Sequence, residues 1–208
     1  MGYTVIAPVG DNLKALFVGI KEFATEKVVL IAPSSKLNEA RDLSKKLKDL
    51  TIEAKIIEIN GNVMEEMFRV FGELCSSYNY ENIIVNVATG DRMSTCAALS
   101  AAFANGLRAF GVMENKTMMM PIMRLSYYQE ISNNKLDILS RIGNEYISLS
   151  DLSKKMRMSL ALLSYHINGT YKSKGLKYFQ LVELKQNGKN MLIRLSTIGK
   201  LLLNGYIK

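Results

Sequence analysis

The residues best placed to do chemistry lie in two glycine turns, each between an apolar stretch and a stretch with helical spacing. Residues Val87–Ser94 read VATGDRMS, and residues Pro8–Asn12 read PVGDN. Each turn opens a helix, whose free N–H groups and positive dipole end suit a phosphate or another anion. The aspartates in the turns would repel a bare phosphate unless Lys14 and Arg92 compensate. They can instead accept hydrogen bonds from ribose hydroxyls or adenine amino groups.

The same turns also have a purely structural interpretation. Asp11, Asn12 and Asp91 are good helix N-caps, and a glycine at a strand-to-helix turn is ordinary geometry. Ligand binding and helix capping therefore both stay open at this point.

Enzyme functions find less support in the same region. No GxGxxG follows the first predicted strand, which argues against a dinucleotide oxidoreductase, and no GxxxxGK[ST] indicates a nucleoside triphosphatase. Ser94 and Thr95 have no histidine near them in sequence, because the only histidine is His166. We assign no catalytic residue, and we expect no metal site and no cofactor.

The elements that carry the two turns alternate between strand and helix. Apolar β-rich runs occur at Tyr3–Val9, Lys27–Ala32, Ile52–Ile59 and Asn82–Ala88. Helical spacing separates them, and a further helix is predicted over Met93–Gly106, followed by short strands at Arg108–Met113 and Met118–Met123. This alternation predicts an α/β fold with a parallel sheet, in the common strand order 3-2-1-4-5. That order places the first and fourth strands side by side, so the two glycine turns meet where ligands bind in such sheets.

Charge is distributed unevenly along the chain. Residues 1–130 carry 14 Lys and Arg against 15 Asp and Glu, whereas residues 131–208 carry 13 against 4. The basic end indicates a polyanion partner, with nucleic acid ahead of a membrane surface. No apolar run has the length of a membrane span, and Cys75 and Cys96 lie in apolar surroundings. We therefore expect a cytoplasmic protein with both cysteines reduced and in the core.

The basic end has the element order of a winged helix-turn-helix. A first helix around Leu136–Ile142 precedes a second that starts at Ser148–Asp151, which has capping-box spacing. A third helix is predicted over Leu160–Lys172, and Asn187-Gly188 marks a hairpin turn. The outer face of the third helix and the hairpin would contact DNA, with a protein-contact role as the alternative. The predicted DNA-binding residues are Ser164, Tyr165, His166, Asn168, Lys172, Lys174, Lys185 and Lys189.

The glycine turns and the winged helix together resemble the CRISPR-associated Rossmann-fold (CARF) regulators of archaea. Gly10-Asp11-Asn12 matches the G-x-N loop that follows strand one in that family, and Thr89–Met93 is similar to the loop that follows strand four. The resemblance implies a homodimer that binds a cyclic oligoadenylate across its two-fold axis and thereby controls DNA binding. It also implies a sensor and dimerisation domain over residues 1–126, a linker over 127–133 and a DNA-binding domain over 134–208.

The ligand-binding residues that the resemblance implies come from both turns. They are Gly10, Asp11, Asn12, Thr89, Gly90, Asp91, Arg92 and Met93. Asp91 stands where the family commonly has a small residue, which leaves the identity of the ligand open. A ring nuclease that uses Ser94, Thr89 and Arg92 is one alternative, and a regulator of an unrelated small molecule is another. The methionine-rich run over 118–123 is expected in the core or at a subunit contact.

Overall fold

The structure is a computed structural model and describes residues 2–78, 80–120, 131–188 and 190–205. The chain divides into a first unit that contains residues 1–126 and a second unit that spans residues 127–204. Within the described residues, no helix combines the length and the apolar character that crossing a membrane requires.

A six-stranded sheet forms the centre of the first unit. Its strands are β1 (Tyr3–Pro8), β2 (Thr25–Pro33), β3 (Glu53–Ile59), β4 (Ile83–Asn86), β5 (Arg108–Met113) and β6 (Lys116–Met119). The order across the sheet is β3-β2-β1-β4-β5-β6, with β1 to β5 parallel and β6 antiparallel to β5. The predicted α/β class, the Rossmann-like parallel sheet and the strand order are confirmed.

Helices follow four of the parallel strands and bury their apolar faces on the sheet. They are α1 (Lys14–Glu22), α2 (Leu37–Asp49), α3 (Val63–Ser77) and α4 (Arg92–Ala104). In α2 the fully or nearly fully buried positions Ala40, Leu43 and Leu47 repeat at helical spacing. Helix α4 instead buries four alanines, whose small side chains let its backbone lie close to the sheet: Ala97, Ala98, Ala101 and Ala102.

Strand β6 begins earlier than the sequence predicts. Glu114 and Asn115 have φ angles of 52° and 59°, which is the backbone of a tight hairpin turn, so pairing with β5 resumes at Lys116. The side chains of Met118 and Met119 on β6 are 47% exposed, so neither lies in the core. Residues 121–123 of the predicted strand lie outside the described residues.

Short helices and hairpins form the second unit. In chain order they are α5 (Asn133–Arg141), β7 (Ile147–Ser148), α6 (Leu149–Met156), α7 (Leu160–Asn168), β8 (Gly169–Thr170), β9 (Ser173–Lys174), β10 (Val182–Asn187), β11 (Asn190–Leu195) and α8 (Thr197–Gly205). Strands β10, β11 and β7 form an antiparallel sheet in the order β10-β11-β7. The hydroxyl of Ser148 accepts from the amide of Asp151 at 3.1 Å, so α6 begins where the capping-box spacing predicts.

Helix α7 is shorter than its predicted extent to Lys172. Gly169 ends it with a φ of +75°, which side chains rarely adopt, and the backbone then forms the small β8–β9 hairpin. A Cβ on Gly169 would lie 2.4 Å from the carbonyl oxygen of Ser173, so only glycine fits there. Tyr171, which the predicted helix would include, is fully exposed in the hairpin.

Candidate functional site

The two glycine turns are joined by backbone hydrogen bonds. The amides of Gly10 and Asn12 both donate to the carbonyl oxygen of Thr89, at 3.1 and 3.4 Å. A Cβ on Gly10 would lie 2.1 Å from the amide nitrogen of Asp91 and 2.4 Å from the carbonyl carbon of Gly90. The turns after β1 and β4 therefore meet at one edge of the sheet, as the strand order predicts, and the closeness of their backbones excludes a side chain at position 10.

Asn86, the last residue of β4, stabilises the turn after β4 through its side chain. Its side chain is fully buried; Nδ2 donates to the carbonyl oxygen of Ala15 at 3.0 Å, and Oδ1 accepts from the amide of Ala88 at 3.0 Å. One side chain thus connects α1 to the turn after β4. Sequence reasoning missed this positioning role, although a lone amide in an otherwise apolar strand was the available signal.

Asp91 is the N-cap of α4. Its Oδ1 accepts from the amide of Ser94 at 2.8 Å, which confirms the capping interpretation for this aspartate. The side chains of Arg92 and Met93 follow on the first turn and are exposed, Met93 to 59%. Asp91 thus occupies the amide of Ser94, which leaves the amides of Arg92 and Met93 without an intrahelical acceptor beside the exposed guanidinium of Arg92.

The capping interpretation is wrong for the other turn. The N-cap of α1 is Leu13, and no side chain caps this helix. The carboxylate of Asp11 is exposed. It lies 4.0 Å from the Nζ of Lys36, a residue that follows β2 in the chain. Asn12 is exposed as well. The first turn therefore presents two polar side chains that do not cap the helix beside them.

Two of the predicted ligand-binding residues, Thr89 and Gly10, are buried. Thr89 is 1% exposed, and its hydroxyl donates to the carbonyl oxygen of Asn86 at 3.4 Å, so its side chain is engaged within the protein. Gly10 is buried against the neighbouring turn. Ser94, a candidate in the ring-nuclease alternative, is 2% exposed. The surface of this edge is therefore formed by Asp11, Asn12, Arg92 and Met93, with Gly90 and Asp91 half-buried.

In the second unit the predicted contact residues of α7 divide between two faces. Tyr165 is 40% exposed and Asn168 is exposed, whereas Ser164 is half-buried. His166 is only 7% exposed, so the prediction that it faces outward is wrong. It lies at helical spacing with the buried Leu163, and that spacing was the signal for its burial.

The buried imidazole of His166 is unusual in its surroundings. Neither ring nitrogen has a hydrogen-bond partner in the structure. Burial, together with the positive charge of Lys135, lowers the pKa of His166 below its usual 6.5. The ring is therefore neutral at physiological pH, packed edge-to-face against Tyr165 with 5.3 Å between ring centroids.

The predicted phosphate-binding lysines lie on two hairpins. Lys172 is exposed at the tip of the β8–β9 hairpin, and Lys174 at its end has its Nζ 4.8 Å from the ring centroid of Tyr178. Lys185 is exposed on β10 with its Nζ 5.9 Å from the ring of Tyr146. Lys189 lies outside the described residues.

The two cysteines differ in their surroundings. Cys75 is mostly buried, and burial raises the pKa of its thiol to about 11. Cys96 is exposed on α4, so the prediction that it lies in the core is wrong. Within the described ranges, no group of three or more His, Cys, Asp or Glu side chains lies close enough together to hold a metal ion.

Comparison with known proteins gives one family match. A family model described as "HFX_2341_N:-like, N-terminal" matches residues 4–117, which is more than half of the chain and ends before the second unit. No curated protein matches the chain.

Solved structures show only a distant likeness. Can2 from Sulfobacillus thermosulfidooxidans, in complex with cyclic tetra-adenylate, has a TM-score of 0.47 and 12% identity over 97% of this chain and 61% of that one. The protein VC1899 from Vibrio cholerae has a TM-score of 0.47 and 11% identity over 97% and 64%. A type III CRISPR defence DNA nuclease activated by cyclic oligoadenylate has a TM-score of 0.44 and 12% identity over 91% and 37%. The chain spans less than two thirds of each of these proteins.

Proposed function

We propose that this chain, which belongs to the HFX_2341_N:-like, N-terminal family, is a ligand-responsive DNA-binding transcriptional regulator. Its first unit binds a cyclic oligoadenylate or a similar nucleotide, and its second unit binds double-stranded DNA. The observation that carries the proposal is the joining of the two glycine turns beside the start of α4, where Arg92 is exposed.

The chemistry of this edge suits a nucleotide with both charge and hydrogen-bonding groups. The guanidinium of Arg92 and the first amides of α4 favour a phosphate. The carboxylate of Asp11 and the amide of Asn12 are exposed beside them and can bind ribose hydroxyls or base amino groups. A cyclic oligoadenylate carries all of these groups in a repeating ring.

A symmetric ring also favours a symmetric protein. Two copies of the chain related by a two-fold axis would each supply the same half of the site. Met118 and Met119, exposed on the edge strand β6, are adaptable apolar side chains of the kind that line subunit contacts. We therefore propose that the regulator is a homodimer.

The DNA-binding half rests on the element order and the charge of the second unit. Helices α5, α6 and α7 followed by the β10–β11 hairpin are the order of a winged helix-turn-helix, in which α7 enters the major groove. Lys172 and Lys185 would contact phosphates from the two hairpins. The ligand would act by population shift, because a nucleotide that binds one arrangement of the DNA-binding units better changes DNA affinity by that difference.

Calorimetric titration of the full chain with cyclic tri-, tetra- and hexa-adenylate tests the ligand half. We expect one of these rings to bind, and Arg92→Ala to weaken binding about 10- to 100-fold, since a hydrogen bond to a charged group contributes about 1.5–3 kcal/mol. Arg41→Ala, which removes an exposed arginine of α2, is the matched control and should leave the affinity unchanged.

The same samples decide between sensing and cleavage. Chromatography should recover the ring intact after incubation with the protein, whereas linear products would favour the ring-nuclease alternative. An affinity that is the same in Arg92→Ala as in the native chain would contradict the proposed site.

The DNA half predicts a salt-dependent affinity for duplexes. Because Lys172 would neutralise one phosphate, Lys172→Ala should weaken binding to all sequences alike and reduce the slope of log affinity against log salt by about 1. Mobility-shift titrations at several salt concentrations measure this slope. If the variant has the same slope as the native chain, Lys172 does not contact a DNA phosphate.

A further inference from the structure

We infer that α7 reads DNA through the methyl groups of thymine, so that the second unit selects an A·T-rich major groove. This inference rests on the DNA-binding half of the proposed function and specifies its target. It depends on which side chains of α7 are exposed, which are engaged within the protein, and which charges surround the helix.

The first turn of α7 exposes an apolar surface. Leu160 is 49% exposed, Leu162 is 45% exposed and Ala161 between them is exposed as well. The hydroxyl of Ser159 caps this turn by accepting from the amide of Leu162 at 3.2 Å. In helix-turn-helix proteins the N-terminal residues of the recognition helix reach the base edges. Here those residues are aliphatic.

Groups that read guanine are missing from α7, all nine residues of which are described. Its sequence, LALLSYHIN, contains no arginine, lysine or glutamine. Arginine or lysine bound to the O6 and N7 atoms is the commonest specific contact to guanine. Helix α7 therefore cannot make the contact on which most G·C-reading helices depend.

The one amide of α7 is engaged within the helix. The Asn168 Nδ2 donates to the carbonyl oxygen of Ser164 at 3.2 Å and to the Ser164 Oγ at 3.1 Å. A bidentate contact to adenine would need this donor together with Oδ1. The remaining outward surface is apolar apart from the hydroxyls of Tyr165 and the half-buried Ser164. The only apolar group that a base pair shows in the major groove is the thymine methyl.

The charges around α7 favour DNA over a protein as the occupant of this surface. Exposed cations precede and follow the helix at Lys154, Arg157 and Lys172, and among the described residues no carboxylate forms an ion pair with any of them. The carboxylates that do pair in this unit, Asp137 and Glu183, bind arginines outside α7. An apolar strip between unpaired cations matches a methyl-lined groove between two rows of phosphates.

Selection of bound duplexes from a random pool by the full chain is the first test. We expect enrichment of a core rich in A·T pairs. The best duplex is then made with dU in place of dT, which removes only the methyl groups. Removal of each methyl group that α7 contacts should lower the affinity about fourfold, because burying a group of this size contributes about 0.8 kcal/mol.

A double-mutant cycle assigns the effect to the helix. Leu162→Ala should weaken binding to the dT duplex. Replacing dT by dU should then reduce the affinity of this variant only slightly, because the variant and the base change remove the same contact. Leu50→Ala removes a leucine that is 52% exposed in the first unit, and it should leave both affinities unchanged. Thermal melts check that both variants fold.

The outcomes separate this inference from the proposal beneath it. A G·C-rich selected core, or equal affinity for dT and dU duplexes, overturns methyl readout while leaving DNA binding intact. Failure to bind any duplex overturns both, and it would assign the apolar turn of α7 to a protein partner instead.

Discussion

Helices α4 and α7 begin in the same way and then present opposite chemistry. Asp91 caps α4 by accepting from the amide of Ser94 at 2.8 Å, and Ser159 caps α7 by accepting from the amide of Leu162 at 3.2 Å. After the cap, α4 exposes Arg92 together with Met93, whereas α7 exposes Leu160 and Leu162 and contains no arginine or lysine. A capped helix start is therefore only a support, and the next two or three side chains determine which partner it suits.

The two helix starts also differ in what packs against them. The turn before α4 lies against a second turn, at a distance that leaves no room for a side chain at Gly10. The turn before α7 follows Arg157, which ends α6 in the left-handed conformation. A side chain added at Gly10 should therefore disturb the backbone, whereas truncation of the exposed Leu160 or Leu162 should alter only surface chemistry.

The largest effect is expected from Gly10→Ala. The added Cβ would have to displace the backbone of Gly90 and Asp91, and overpacking of this kind costs about 1–3 kcal/mol of unfolding free energy. Urea unfolding measures the loss, and ligand titration should show weakened binding. Gly143→Ala is the matched control, because the nearest atom to its Cβ would be 3.9 Å away. Equal stability of the two variants would contradict the close packing of the turns.

A smaller effect is expected from removing the caps. Asp91→Ala and Ser159→Ala should each lower the free energy of unfolding by about 1 kcal/mol, the usual contribution of an N-cap side chain. Asp91→Asn should keep most of this stability, since asparagine caps as well as aspartate. It also removes a negative charge, so a phosphate-bearing ring should bind Asp91→Asn more tightly than it binds the native chain. This difference in affinity should be larger at low salt than at high salt. Weaker binding by Asp91→Asn would mean that the carboxylate itself contacts the ligand.

The smallest effect concerns acidity in the second unit. Because the pKa of His166 is lowered in the folded chain, the unfolded chain takes up this proton first as the pH falls. The free energy of unfolding should therefore be unaffected by His166 above its usual pKa of 6.5. It should decline as the pH falls below 6.5 toward the lowered pKa of the folded chain. His166→Met cannot bind the proton, so its melting temperature should change less between about pH 7.5 and 5.5. Parallel pH dependence in the two proteins would show that His166 is not buried as the structure has it.

The order of the large sheet could be predicted because its signals are long and redundant. Four apolar runs alternate with helical spacing, and the rules for right-handed crossovers allow few arrangements of them. The meeting of the turns at Gly10 and Gly90 follows from that order alone. The hairpin of β10 and β11 was predictable as well, since Asn187-Gly188 favours a tight turn.

Side-chain direction at the sites could not be predicted as well. The sequence predicts His166 on the outer face of α7, but the chain that follows turns back. The amides of Leu176 and Lys177 donate to the carbonyl oxygens of His166 and Ile167. Burial of that face depends on this distant segment. The side chain of Thr89 turns inward as well, where its hydroxyl donates to the carbonyl oxygen of Asn86. Spacing within α7 places His166 on the same face as Leu163, but it does not show which later segment of the chain covers that face.

The shared carbonyl of Thr89 has a mechanical consequence. It accepts from two amides of the other turn, and Asn86 bonds to the carbonyl oxygen of Ala15, so hydrogen bonds connect both turns to α1. We therefore expect a displacement of one turn to shift the other turn as well. Because α1 and α4 begin directly after these turns, both helices should shift with them.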